Sequence, residues 1–443
     1  METPICDFVR RYGESQTLRA HMPGHKGVGM LGFEHLDITE IAGADSLYEA
    51  DGIIRQSEEN AGALFGCPTF YSTEGSSQCI RAMLFLAMQD AKRQGRTPKI
   101  AAARNVHKTF LNGAALLDLD VVWLYPQEDH SYLSCPLDGA ALGVFLEREQ
   151  PTAVYVTSPD YLGYVAPIEE LAAVCHAHDA LLLVDNAHGA YLRFLEPSRH
   201  PMDLGADLCC DSAHKTLPVL TGGAYLHGTA RFAGQAKNAL ALFGSTSPSY
   251  LILQSLDGAN AYLETHGERL STFLPQVGAL KTALRAEGYG LYGEEPLKIT
   301  IAAKGYGYTG TELSDLLRKH GIECEFADPD FLVLMLTPET EAQGLEKIRD
   351  ALLSIPKRSP VRQAPPSFRA GVRAMSIREA MFSVGTTVPI EESKGWILAA
   401  ASVGCPPAVP ILVCGERIDE HTMRCFQYYG IDAVTVVEEM HHE

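Results

Sequence analysis

Four short segments hold residues whose chemistry exceeds what a core or a solvated surface requires. Lys215 lies in Asp211-Ser-Ala-His-Lys-Thr216, among small and polar residues directly after an apolar run. Burial and a cationic neighbour lower the pKa of a lysine so placed, and its free amine can then add to a carbonyl as a Schiff base. Asp185 closes the apolar run Leu183-Val184-Asp185 and is followed by Asn186-Ala-His-Gly-Ala190. A carboxylate carried to the end of a buried strand has to be paired or hydrogen-bonded, or it protonates. Thr73-Glu-Gly-Ser-Ser-Gln78 opens an amphipathic helix, where Gly75, Ser76 and Ser77 offer N–H groups, two hydroxyls and the positive helix end. That combination receives a phosphate. Arg104-Asn-Val-His-Lys-Thr109 sets His107 after another strand, where an imidazole can stack flat on an aromatic ring.

Each feature alone has an ordinary reading: a solvated lysine, an Asx turn, a serine N-cap or a structural histidine. Together, an amine, a carboxylate, a phosphate cradle and a stacking ring are the parts of a pyridoxal 5'-phosphate (PLP) site. There the lysine forms the Schiff base, and the aspartate keeps the pyridine nitrogen protonated so that the ring draws electrons. The order along the chain, cradle then His107 then Asp185 then Lys215, agrees with the large domain of fold-type I PLP enzymes.

The elements that must position these residues are legible as short β-runs alternating with helices. The apolar runs are Ile100–Ala103, Val121–Tyr125, Ala153–Thr157, Leu181–Asp185 and Leu208–Asp211. Helical segments separate most of them, including Ser77 to about Lys92, with Ile80, Met83, Leu84 and Ala87 on one face, and Ile168–His178. Such alternation predicts βαβ units and a mostly parallel sheet covered by helices on both faces. Ligands of such sheets gather at the carboxyl ends of strands, where all four segments lie.

The expected organisation is an N-terminal arm over residues 1–50, a PLP-binding large domain over 51–290, a small α/β domain over 291–357 and a C-terminal cap over 358–443. A helical region is expected over Pro248–Glu287. Beyond it the pattern reads strand (Leu297–Ala302), helix (Glu312–His320), strand pair (Glu323–Thr337) and helix (Glu341–Leu353), with Arg358–Pro366 as a linker. Ser376-Ile-Arg-Glu379 matches a capping box.

Composition narrows the function class. The 443 residues are 46% apolar and 21% charged, globular values that exclude a disordered or collagen-like chain. The net charge of 36 − 55 = −19 argues against nucleic acid and anionic membrane as partners. Eleven scattered cysteines without a CxxC pair point to a reduced, cytoplasmic chain and give no support to a metal site. The start has no signal-peptide core, and no apolar run is long enough to span a bilayer.

His21–Gly27 (HMPGHKG), Asn105–Thr109 (NVHKT), Val184–Ala190 (VDNAHGA) and Ser212–Leu217 (SAHKTL) resemble the bacterial-type ornithine/lysine/arginine decarboxylases, with echoes at Ser158–Gly163, Ser245–Tyr250 and Gly321–Ala327. The resemblance covers most of the chain and is looser after about residue 360. It implies a fold-type I PLP-dependent transferase large domain with a smaller C-terminal α+β domain. It implies PLP-dependent decarboxylation of a basic amino acid (arginine, lysine or ornithine) to a polyamine-type amine and CO2. By this resemblance Lys215 is the Schiff-base lysine, Asp185 pairs the pyridine nitrogen, His107 stacks on the ring and His188 lies beside the reacting group. Gly75, Ser76, Ser77, Ser212 and His214 hold the phosphate. The family's site is shared between subunits, so a homodimer or dimer of dimers is expected, with Ser245 and Thr246 reaching the neighbour's phosphate. Longer relatives carry an extra domain before the HMPGHKG-like segment. Only about 20 residues precede it here, so a short form without the large ring assemblies is expected.

The chain departs from the resembled family where relatives carry a glutamate ahead of a Pro-Tyr-Pro-Pro-Gly-like run. This stretch reads Ala399-Ala-Ala-Ser-Val-Gly-Cys-Pro-Pro-Ala408. Glu325, Asp328 and Asp330 are the acidic residues that could meet a substrate cation instead; as loop residues they are otherwise expected to be solvated. Two other functions stay open at this level. One is an aminotransferase or lyase acting on a non-basic amino acid, with Arg373 or Arg378 anchoring its carboxylate. The other is a catalytically idle homologue.

Overall fold

A computed structural model describes residues 1–126, 131–400, 403–405 and 409–438. The chain begins α1 (Pro4–Glu14), α2 (Ile53–Phe65), β1 (Thr69–Ser72), α3 (Ser76–Arg93), β2 (Lys99–Ala103), α4 (Lys108–Leu117), β3 (Asp120–Leu124), α5 (Gly139–Glu149) and β4 (Ala153–Thr157). It continues α6 (Ile168–Ala177), β5 (Leu181–Asp185), β6 (Leu208–Asp211), α7 (Ala213–Thr216), β7 (Ala224–Gly228), α8 (Ala230–Phe243), α9 (Tyr250–Leu263) and α10 (His266–Glu287). Then come β8 (Gly290–Tyr292), β9 (Lys298–Ala302), α11 (Gly310–Lys319), β10 (Phe326–Ala327), β11 (Phe331–Met335) and α12 (Glu341–Ser354). The described residues divide into two compact units, Met1–Arg96 with Ile168–Ser271, and Thr97–Pro167 with Thr272–Glu443.

In the first unit the strand order is β1-β7-β6-β5. Every residue of Leu181–Asp185 and Leu208–Asp211 is buried, as expected of strands covered on both faces. β5 and β6 run parallel, with Asp185 beside Cys210. β7 runs antiparallel to both β6 and β1, an exception within a mostly parallel sheet. The cause is the connection: residues 212–223 contain only α7, a helix of four residues, too short to carry the chain back for a parallel crossover. α3 buries Ile80, Met83, Leu84, Ala87 and Ala91, and Lys92 and Arg93 close it at the negative helix end. Within the expected arm, Pro4 starts a helix, as proline does at N1. Its Ile5 and Val9 are fully buried, and Cys6 N donates to Asp257 Oδ2 at 2.9 Å.

In the second unit β4, β2 and β3 lie side by side and parallel. A separate antiparallel sheet has the order β10-β11-β9-β8. α11 starts on a Thr309/Glu312 capping box, and the expected Ser376/Glu379 box opens α13 (Ile377–Phe382). The last part of the chain packs Phe368, Ile390, Leu398, Ile411, Phe426 and Val436 into its own core. No described helix is long and apolar enough to cross a membrane.

Candidate active site

The phosphate-cradle residues stand where β1 turns into α3. Gly75 has φ +71°, a left-handed conformation in which a side chain would be strained, and a Cβ there would lie 4.0 Å from Ser77 N. Its N–H donates to Gly222 O at 2.7 Å, and Ser72 Oγ donates to Gln78 Oε1 at 2.6 Å, so both flanks of the turn are held. Ser76 and Ser77 begin α3 at its positive end. Ser212 Oγ, arriving from the end of β6, donates to Ser76 Oγ at 2.8 Å. The loop between α8 and α9 carries Ser245 and Thr246, both exposed, and Ser245 N donates to the carboxylate of Glu74, the neighbour of Gly75.

Beside the cradle, β5 and β6 deliver the reactive groups. Asp185 is buried, 2% exposed; its Oδ1 accepts from Ala187 N at 3.3 Å, and the Cys210 thiol lies 3.7 Å away. The turn that follows requires glycine at position 189, because a Cβ there would lie 2.0 Å from Asn186 Oδ1. His188 is buried, and its Nε2 lies 3.1 Å from Lys215 Nζ on α7. One proton bridges that contact: an ammonium donates to a neutral imidazole, or the imidazolium donates to a free amine. His214 turns away from this pair, with Nδ1 2.9 Å from Gly223 O. Ten of the eleven sequence-predicted site residues thus fall in the first unit, in three strand-end segments and one adjoining loop.

His107 belongs to the second unit. It is the N-cap of α4, and its Nδ1 accepts from Thr109 N at 3.2 Å, which pins the ring and leaves Nε2 as the protonated nitrogen. The Arg104 side chain, three residues before it, is 3% exposed. It donates to the Pro410 and Ile411 carbonyls at 2.9 and 3.2 Å and lies 3.5 Å from the Glu416 carboxylate. This tie fastens the β2 end to the C-terminal core, and sequence reading did not single out Arg104.

Of the acidic candidates, Glu325 is exposed as expected of a loop residue, whereas Asp328 and Asp330 are not solvated. Asp328 is buried and accepts from Asp330 N and Phe331 N at 2.7 and 2.6 Å, which shapes the turn before β11. Asp330 is buried and pairs with Lys304 Nζ and the Tyr428 hydroxyl, both at 2.7 Å. Glu325 accepts from the Tyr161 hydroxyl at 2.7 Å. Ala399 and Ala400 pack into or against the C-terminal core; Ala401, Ser402 and Pro406–Ala408 lie outside the described residues. The arginines considered for an aminotransferase have structural partners: Arg378 donates to Ala115 O at 2.8 Å, and Arg373 pairs with Asp120 at 3.4 Å.

A network that sequence reading missed lies behind β5 and β6. Asp211 accepts from Asn186 Nδ2 at 2.7 Å, from His200 Nε2 at 3.1 Å and from His227 Nε2 at 3.0 Å. The available signal was Asp211 itself, a second carboxylate closing a buried apolar run and in need of a partner.

Comparison with known proteins identifies the family and the fold. The sequence pattern of the Orn/Lys/Arg decarboxylase major domain matches residues 3–287. An arginine decarboxylase of Halalkalibacterium halodurans is 30% identical, over 95% of this chain and 92% of its own length. A lysine decarboxylase structure from Francisella novicida superposes with a TM-score of 0.81 at 16% identity, covering 98% of this chain and 81% of that one. An SPT structure determined with PLP gives a TM-score of 0.57 at 15% identity, over 70% of this chain and 79% of that one. The fold is therefore that of the fold-type I PLP enzymes.

Proposed function

The chain belongs to the Orn/Lys/Arg decarboxylase family, and from that premise we propose that it is a PLP-dependent decarboxylase of a basic amino acid, arginine first, releasing CO2 and the corresponding amine. The observation that carries the reading is the Lys215 Nζ to His188 Nε2 contact of 3.1 Å, in the unit that also holds buried Asp185 and the Ser76–Ser212 hydroxyl pair.

The donor set fits PLP. Lys215 provides an amine for the aldehyde, and Asp185 an anionic partner for the pyridine nitrogen. Gly75, Ser76, Ser77 and His214 provide the phosphate cradle, with Ser212 backing it through its hydrogen bond to Ser76, and Gly75, at positive φ, puts no side chain there. His107, its ring pinned by Thr109, provides the stacking face. When bound, PLP supplies an electron sink for the pair left behind as the Cα–carboxylate bond breaks.

The chain's own residues do the rest. His188 Nε2 takes a proton from Lys215 Nζ, which frees the amine lone pair; after CO2 leaves, the same pair returns a proton to Cα. Which bond breaks would be selected by how the pocket orients the substrate, an effect of orientation. Subunit sharing is part of the proposal. Leu18, Met22, Val28, Met30 and Leu31 form an exposed apolar run suited to a second copy, and Ser245 and Thr246 are exposed enough to reach it. The amine product places the reaction in polyamine-type biosynthesis. A cytoplasmic setting is supported by the ten described cysteines, all free.

The test is incubation of the purified protein with PLP and arginine, lysine, ornithine, and neutral and acidic amino acids, measuring CO2 and amine, repeated with Lys215→Ala. Stoichiometric CO2 and amine from one basic amino acid, lost in Lys215→Ala, is the expected result. Absence of CO2 from every substrate, or full turnover by Lys215→Ala, would refute the reading. Amino transfer that depends on a keto acid would replace it with an aminotransferase.

A further inference from the structure

The groups assigned in the first unit hang on two adjacent strand ends, Asp185 of β5 and Asp211 of β6. The relative height of those ends decides where Lys215 and Ser212 stand against His188 and Asp185. The backbone ladder joins them at Asn186 N to Cys210 O, 3.0 Å. One step further on, Asn186 Nδ2 donates to Asp211 Oδ1 at 2.7 Å. The other carboxylate oxygen of Asp211 accepts from His200 Nε2 at 3.1 Å and His227 Nε2 at 3.0 Å. Asn186, His200, Asp211 and His227 are all 0% exposed. They come from four separate pieces of chain: the end of β5, the loop ahead of β6, β6 itself and β7.

Burial pushes the Asp211 carboxyl up, but the charge of His200 and His227 and their hydrogen bonds outweigh it and hold the group well below the usual carboxylate range. Filling space does not account for such a group, since a well-packed apolar side chain is often as stable as a buried ion pair or more so. What the carboxylate adds is direction. It precedes Ser212 by one residue and Lys215 by four, and the side chain that it grips precedes His188 by two.

We propose that Asp211 is the positioning residue of this site, a buried clamp that sets the Lys215–His188 contact and the seating of Ser212 on Ser76. The inference rests on the reading that Lys215, Asp185 and Ser212 serve PLP.

Two variants test it. Asp211→Asn keeps the shape and removes the charge; Asn186→Ala removes only the link across the strand ends. In a folded Asp211→Asn protein, judged by circular dichroism, the PLP dissociation constant should rise at least ten-fold and the visible band of the bound cofactor should shift. With arginine, kcat should fall at least ten-fold while KM changes less than three-fold. In the cofactor-free protein, the rate at which Lys215 is acylated, mapped by mass spectrometry against a surface lysine, should change at least three-fold. Asn186→Ala should move each readout in the same direction by less, and it decides the matter if Asp211→Asn does not fold. Wild-type PLP affinity and wild-type Lys215 reactivity in a folded variant would overturn the proposal, whatever its melting temperature. Wild-type protein that fails to bind PLP would sink the functional reading, while Lys215 labelling would still report on Asp211.

Discussion

The Ser76–Ser212 pair allows a quantitative forecast. Ser212 donates its hydroxyl proton to Ser76 Oγ at 2.8 Å, so in the proposed site Ser76 has its own proton to give to a phosphate oxygen. Ser76→Ala therefore removes a hydrogen bond to a charged group, worth about 1.5–3 kcal/mol. At about 1.4 kcal/mol per decade, PLP should bind roughly ten- to hundred-fold more weakly. Ser212→Ala removes only a neutral supporting bond of about 1 kcal/mol, roughly a five-fold effect. The two changes should not multiply. Once Ser76 has lost its hydroxyl, the buried Ser212 donor has no acceptor in that direction, and removing it as well should weaken PLP little further and recover some of the stability lost by Ser76→Ala. The assay is equilibrium dialysis of PLP against the four proteins of the double-mutant cycle, with thermal melts alongside. Single effects that multiply, or a Ser212→Ala loss larger than that of Ser76→Ala, would refute the assignment of donor and support.

Three further outcomes follow from buried polar groups and close approaches. Arg104→Ala leaves the Glu416 carboxylate, only 4% exposed, without its cation; a loss of about 3–5 kcal/mol in thermal or denaturant unfolding is expected, partly recovered by Glu416→Leu in the same chain. Asp160 is held at about 6 against an ordinary 3.8, because burial outweighs its hydrogen bonds from Ser134 and backbone and the charge of Lys298. The native state therefore binds the extra proton between about pH 4 and 6, and unfolding free energy declines as pH rises through that window, by about 3 kcal/mol. Asp160→Asn should flatten that decline in denaturant titrations at pH 4.5 and 7; equal slopes in the two proteins would show the assignment wrong. Gly189→Ala pushes a methyl to 2.0 Å from Asn186 Oδ1, and a loss of about 1–3 kcal/mol is expected, with a neutral effect on the melting temperature counting against the close packing described.

Much of the architecture is legible in the sequence because it rests on local periodicity. The runs Ala153–Thr157, Leu181–Asp185 and Leu208–Asp211 coincide with β4, β5 and β6, and the 80/83/84/87 stripe marks α3. The direction of β7 is not periodic information. A strand of Ala224–Gly228 reads the same in either orientation, and what settles it is the lack of a crossover helix between Asp211 and Ala224. α1 is missed for another reason. It sits in a polar, glycine-rich stretch, and only two of its apolar residues, Ile5 and Val9 at a helical spacing of four, reach the core with Pro4. The helical region expected over Pro248–Glu287 is made of α9 and α10, with a break between Leu263 and His266.

The site divides along the same line. Lys215, Asp185 and the Gly75–Ser77 turn are visible because each follows or precedes its own element and carries chemistry that a surface does not need. Asp211 meets the same criterion as Asp185, a carboxylate closing an apolar run, yet the two differ in what they face. Alternation along β6 sends Asp211 and Ser212 to opposite sides, so Ser212 reaches Ser76 while Asp211 reaches His200 and His227. Those histidines stand eleven residues before and sixteen after Asp211, in a loop and in another strand, so no periodicity along one element links them to it. The need for a countercharge can be read from the chain, but its identity depends on strands meeting in space. Of two equivalent-looking carboxylates, the one answered by imidazoles is the proposed support of the site, and the other is the proposed partner of the pyridine nitrogen.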